Sequence, residues 1–395
     1  MKVQNTNANE EDFRLFERDS FLGLEKVVHW SWCRKPTVRS AFLFAVLLAW
    51  VPLALLAAFQ GGAWGPTLAR SLLLDVGVYV RFFIAVPLLI LAPAYCSSEI
   101  RDIVKHFLEA KLVKESEQER FSENFAKLQR RRDWRWMDWI LLALAYAYIA
   151  LVTIQVVPHL PDSWRTMGPE GHRGPTAAGW WFVLVSWPLY SFALFRFLHR
   201  MSLWWRFLWG VSRLDLQLNA AIPDGAGGLG FLGLSLTPFL WPAFAIAASV
   251  AGMLANLALQ AGASVVGYRV SVFVFAGCNV GLFVGPLLFF INRLWEARRQ
   301  GELNHALLAG RQIRQYEQEW IRKTPAREDL LSVQDFSAVI DLNSTVYNVR
   351  RIFMVPVQWR QIVSLIACTL LPFLPVAALE IPVAEIFQRI VKLVL

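Results

Sequence analysis

SVFVFAGCNVGLFVGPLLFFIN, residues 271–292, contains no charged side chain. A helix needs about 20 such residues to cross roughly 30 Å of hydrocarbon, where only an unbroken helix satisfies its own backbone. This stretch is therefore read as a membrane span. Five others qualify: Val38–Phe59, Val78–Ser98, Trp139–Pro158, Gly179–Leu198 and Leu236–Leu259. A seventh, Trp359–Ala378, carries Pro372 and Pro375 near its end and is expected to kink before leaving the bilayer. The expected fold is all-α: a polytopic transmembrane bundle of six clear spans plus a proline-kinked seventh, with interfacial and cytoplasmic helices.

Composition agrees. Of 395 residues, 56% are hydrophobic and 17% charged, against roughly 45–50% and about 25% in soluble globular chains. Four cysteines, Cys33, Cys96, Cys278 and Cys368, lie too far apart in sequence for a zinc motif or a disulfide framework. The polar, mixed-charge start MKVQNTNANEEDFRLFERD lacks the basic-then-apolar order of a cleaved signal peptide.

The net charge of +9 raises the question of a nucleic-acid partner, and the placement of the charges answers it. Most Lys and Arg fall on alternate inter-span segments, whereas the opposite side carries only Arg70, Arg165, Arg173, Arg269, Arg389 and Lys392. Basic flanks stay on the cytoplasmic side, so the amino terminus is expected inside, with anionic lipid headgroups as partner and no nucleic acid. Trp134, Trp136, Trp139, Trp180, Trp181, Trp295 and Trp359 stand at span ends, where aromatic belts form.

The resulting organisation is a cytoplasmic segment 1–37; spans one and two, 38–98; a cytoplasmic helical segment 99–138; spans three and four, 139–198; an interfacial helix and glycine-rich loop, 199–235; spans five and six, 236–292; a second cytoplasmic helical segment 293–358; span seven, 359–378; and an interfacial helix 379–395. Within these, Ile103, Val104, Phe107, Leu108 and Leu112 recur at helical spacing. Thr324-Pro325 is a good start for a further helix. From Ser202 to Asn219 one arc is polar and the other apolar, predicting a helix lying flat at the inner interface. Asp215 falls among its apolar residues and either reaches water or pairs with Arg196 or Arg200.

Several motifs are candidate sites. Asp224, Gly225, Gly227 and Gly228 belong to IPDGAGGLGFLG, just before span five. Glycine-dense backbone there forms either a tight re-entry turn or an anion-binding nest serving as a gate. Neither a P-loop nor a dinucleotide fingerprint surrounds it, so no cofactor is expected. Gly277, Gly281 and Gly285 repeat every four residues on span six and predict close helix packing, within the chain against Ala248, Gly252, Ala255 and Leu259 of span five, or between copies. Arg81, Asn256 and Asn279 are polar groups inside spans, where such groups face a partner or a cavity. Asp75 lies six residues before Arg81, too far round a helix to pair with it. The two asparagines are expected to hydrogen-bond across the five–six interface.

PDGAGGLGFLG, IDLNSTVYNVRRIFMVPV and LPFLPVAALEIPVAEIF together resemble an uncharacterised group of bacterial polytopic inner-membrane proteins with a (H)PDxxGGLGFL loop; Ile222 stands where a histidine often precedes Pro-Asp. The resemblance covers the chain from Ile222 onward and implies a bacterial inner-membrane location, with no activity attached.

Enzyme chemistry is not expected. No nucleophile elbow, no HExxH and no paired carboxylates on one membrane face occur, and the six histidines lie at no metal-ligand spacing. His159, Asp162 and His172 share one outer loop that lacks rigid geometry for a metal. Two functions remain: an oligomeric channel-like or passive transporter-like protein, its path lined by spans five and six, and a membrane-anchored interaction or regulatory protein using its cytoplasmic helices. The absence of an acidic group at midspan argues against a proton-driven pump.

Overall fold

A computed structural model describes residues 43, 46–132, 134, 136–156, 163–167, 174–318 and 344–379. The segment 1–37, the start of the first span, the His159, Asp162 and His172 grouping, the helix at Thr324-Pro325 and the closing interfacial helix 379–395 lie wholly or almost wholly outside the described residues. The described chain is an all-α bundle, with one short antiparallel pair, Thr166–Met167 against Gly174–Pro175.

Its helices are α1 (Val46–Phe59), α2 (Val76–Glu109), α3 (Gln118–Arg132), α4 (Trp136–Val156), α5 (Ala177–Ser212), α6 (Leu236–Ala261), α7 (Arg269–Val284), α8 (Ile291–Tyr316) and α9 (Trp359–Leu370), the last continued by short turns to Ala377. Six of the helical runs are long and apolar enough to cross a bilayer. The protein is thus a multi-pass membrane protein. The described part of the first expected span, α1, is the shorter apolar helix of the set.

Prolines shape these spans, because each removes the amide that would bond the carbonyl four residues earlier. Pro52, Pro87 and Pro188 each stand just after a widened π turn, at Val46–Trp50, Val80–Ala85 and Phe182–Ser186. Pro286 lies in a tightened turn, Gly285–Phe290, between α7 and α8. In hydrocarbon a released carbonyl needs another donor, and neighbouring helices provide one. The Tyr146 hydroxyl of α4 donates to Leu184 O at 2.9 Å, four residues before Pro188. The Trp205 indole of α5 donates to Leu282 O at 3.0 Å, four before Pro286. The Cys96 thiol of α2 approaches Pro238 O at 3.9 Å, four before Pro242. Proline positions therefore become attachment points between spans.

α6 is the most deeply buried span, packed on α2, α7 and α9. Gly252 of α6 meets α2: a Cβ there would lie 3.1 Å from Val80 Cβ and 3.3 Å from the Gly77 Cα. The expected mate for that face, span six, is replaced by span two.

At the end of the bundle rich in Lys and Arg, α2 and α5 run on past the apolar region without a break. At 1.5 Å per residue the 36 residues of α5 are about 54 Å long. The predicted flat interfacial helix from Ser202 is instead the last third of this continuous helix. Its apolar arc is buried by protein: Phe207 lies against Phe107 of α2 and Phe121 and Phe125 of α3, with ring centroids 5.7–6.3 Å apart. An amphipathic face records burial without saying whether lipid or protein covers it.

α5 ends at Ser212, not near Asn219. Arg293 of α8 closes it by donating to Ser212 O and Arg213 O. From Leu214 the pattern Leu-Asp-Leu-Gln-Leu-Asn alternates with period two, and this stretch pairs with the segment after α2: Val113 bridges Leu216, and Gln217 N donates to Leu112 O at 2.8 Å. Asp215 consequently points outward and reaches water, the first of its two expected outcomes, and there it pairs with Lys114 in place of Arg196 or Arg200. The Lys114 hydrogen bond holds its carboxyl below the usual aspartate range.

Candidate functional site

Two polar constellations stand out, one at each end of the bundle. At the basic end, the glycine-rich loop bends through three glycines with positive φ, Gly225 (67°), Gly227 (62°) and Gly228 (101°). At Gly228 a side chain would be strained in that conformation and would also meet Leu112 Cδ2 at 3.1 Å. The amides do converge into a nest, and its anion is the protein's own Asp224. One carboxylate oxygen accepts from Ala226 N, the other from Gly228 N and Gly230 N, all at 2.9 Å. The carboxylate is thereby turned into its own loop, where it occupies the nest.

The loop also anchors its surroundings. Gly225 O accepts from Phe353 N at 2.8 Å and Gly227 O from Asn219 N at 3.1 Å, joining the approach to α9 and the strand-like stretch after α5. Beside it a cleft of about 230 Å³ is bordered by Asp224, Arg351, Phe353 and Gln358. Asp224→Asn presents an NH₂ group or a single oxygen to three N–H donors, so a loss of about 1–3 kcal/mol is expected. Tryptophan-fluorescence melting of the purified variant checks this; an unchanged melting temperature would contradict the staple role.

At the opposite end, Asp75 is 1% exposed and serves as the N-cap of α2, accepting from Val78 N at 2.9 Å. The same carboxylate accepts from Trp164 Nε1 (3.0 Å), Arg165 Nη2 (3.0 Å) and Asn256 Nδ2 (2.6 Å). Burial alone would raise its pKa, but Arg165 and these hydrogen bonds outweigh burial and hold it below the ordinary value. Asn256 in turn accepts from Gly77 N at 3.2 Å, so it ties span five to span two rather than to span six.

Arg81 stands on the π turn of α2 with its guanidinium 5.2 Å from the Tyr190 ring and 6.0 Å from the Phe182 ring. Arg165 sits over the same Phe182 ring at 4.5 Å. Among the described residues, the buried carboxylate nearby, Asp75, is paired with Arg165. The Arg81 Nε is buried and, among the described residues, has no hydrogen-bond partner. This arrangement fixes a cation in the membrane with aromatic faces around it, and among the described residues the carboxylate that attracts it, Asp75, is already engaged by Arg165.

The remaining sequence candidates are dispersed. Asn279 donates from Nδ2 to Ala243 O (3.1 Å) and Thr369 Oγ1 (3.2 Å), linking spans five, six and seven. The Gly277, Gly281 and Gly285 repeat does not form one packing surface within the chain. A Cβ at Gly277 or Gly281 would meet nothing within 4 Å, while one at Gly285 would lie 2.5 Å from the Trp205 ring. It is Ala276, Asn279 and Phe283 of α7 that are buried. Four-residue spacing identifies a smooth stripe; the side to which the stripe turns is a tertiary property.

Sequence reasoning weighed Asp75 only as a partner for Arg81, counted Arg165 only as an outer basic residue, and did not single out Trp164. An Asp just ahead of an apolar run is a recognisable N-cap signal, but nothing local connects it to Arg165 ninety residues later. No family model matches the chain, and no curated protein or solved structure matches it either.

Proposed function

We propose that this is a bacterial inner-membrane protein with its amino terminus and basic end in the cytoplasm, and that it acts as a membrane-anchored interaction or regulatory protein. The observation that carries this reading is the continuity of α2, α5 and the α7–α8 run from the membrane into the basic layer. A continuous helix passes a displacement between its ends, so the buried Asp75 network at the start of α2 and the cytoplasmic layer are mechanically joined. α8 also presents Leu303, Leu307, Leu308 and Ile313 to the surroundings, Leu307 being 64% exposed, along a helix otherwise rich in charge. A photo-crosslinking amino acid at Leu307 in living cells is expected to yield one discrete adduct, lost on Leu303→Glu. No adduct at Leu307, with ion flux from the purified protein alone in liposomes, would displace the regulatory reading.

The second reading, an oligomeric channel-like or passive transporter-like protein, draws support from the open Gly277 and Gly281 stripe, a surface on which a second copy can pack closely. Arg81 would favour an anionic permeant. Gly281→Leu separates fold from assembly: with open space at its Cβ, the variant is expected to keep the parent's melting temperature. Loss of oligomer mass by light scattering in that variant would support assembly through the stripe; unchanged mass would assign the stripe to lipid.

A further inference from the structure

We propose that Arg200, backed by Trp204, forms a site for the phosphate group of an anionic phospholipid at the basic end of the bundle. The level is set by two features. Trp134, Trp136 and Trp139 are exposed at the start of α4, forming a tryptophan belt of the kind that lies among headgroups. Within that belt, in the first turn of α4, Asp138 faces Arg196 of α5, Asp138 Oδ1 lying 3.9 Å from Arg196 Nε. Arg200 is one helical turn further along α5.

Arg200 is only 5% exposed, and among the described residues it has no hydrogen bond and no ion pair within 4 Å. Its charged neighbours are Arg196, Arg132 and Asp138, and the carboxylate of the three lies against Arg196. Another turn on, at the four-residue spacing that puts side chains on one face, Trp204 is fully buried and, among the described residues, has no acceptor for its indole N–H. An N–H donor held out of water, and a cation left with only 5% of its surface exposed, are costly unless an anionic acceptor joins them.

At headgroup depth the abundant acceptor is lipid phosphate. The guanidinium fork matches two phosphate oxygens, and basic pockets between helices on the cytoplasmic side are where anionic headgroups lodge. Free phosphate has the same chemistry. The surrounding belt of exposed tryptophans favours a ligand that arrives through the bilayer.

The test uses the full-length protein in nanodiscs of phosphatidylcholine alone and of an equal mixture with phosphatidylglycerol. In the mixture the parent is expected to melt about 3 °C or more higher. Arg200→Gln should lose that increment, and Arg206→Gln, exposed on the same helix, should keep it. An equal increment in Arg200→Gln would overturn the site. Inorganic phosphate added to the phosphatidylcholine discs is expected to do nothing; the full increment from phosphate would overturn the lipid assignment. Should Arg200→Gln fail to fold, native mass spectrometry of the parent decides: a retained phosphatidylglycerol on each chain supports the site, and none overturns it.

Discussion

Asp75→Ala is expected to be the most destabilising single change at the end of the bundle opposite the basic layer, by about 3–4 kcal/mol. The substitution removes the acceptor of Trp164, Arg165, Asn256 and the α2 amide of Val78 together. Trp164 is buried, so its indole N–H is left unpaired, while Arg165, one-third exposed, regains part of its hydration. Arg165→Gln should accordingly cost less. Because Asp75 titrates below the ordinary carboxylate value in the folded protein, its stabilising contribution is complete above about pH 4 and is lost as pH falls through the folded pKa. Melting temperatures of parent and Asp75→Asn in detergent, followed from neutral pH downward, should converge in acid. Parallel curves would show that Asp75 carries no ionisation-linked stability.

The second large effect is expected for Phe207→Ala, at about 3–5 kcal/mol, from a cavity in the contact between the basic layer and the spans. Phe207 is buried among Phe107, Phe121, Phe125 and Trp204, the last stacked on it at 5.6 Å and 23°. Helix α3 buries only Phe121, Phe125 and Leu128, and two of those three sit against this ring. Its attachment is therefore expected to weaken before the spans do. Limited trypsin digestion should cut Phe207→Ala after Lys127 or Arg130 under conditions that leave the parent intact. Equal digestion of the two proteins would show that α3 is held elsewhere.

Much of the fold was legible because hydropathy is a local property. Residues 271–292 must be a span whatever surrounds them, since uncharged apolar residues at that length have nowhere else of low free energy to go. What was not legible concerns which face meets which. The apolar arc after Ser202 was read as facing lipid and is covered by α3; the Gly252 face was matched to span six and meets Gly77 of span two. Both patterns are degenerate, because burial by lipid and burial by protein select the same residues.

The candidate sites divide along the same line. Asp224 and its glycines lie within one short loop, so a nest was readable from spacing, although its occupant was not: whether an outside anion or the loop's own carboxylate fills it depends on how the chain closes. Asp75 gathers Trp164, Arg165 and Asn256 from segments 89 to 181 residues away. By itself the sequence determined the helical class, the apolar runs that span the membrane and the side on which positive charge collects, all of which follow from one segment's transfer energy at a time. Only the tertiary structure decided the partners of the buried polar groups and of the carbonyls released by prolines, because in a medium without water those groups must bond to whichever helix lies beside them.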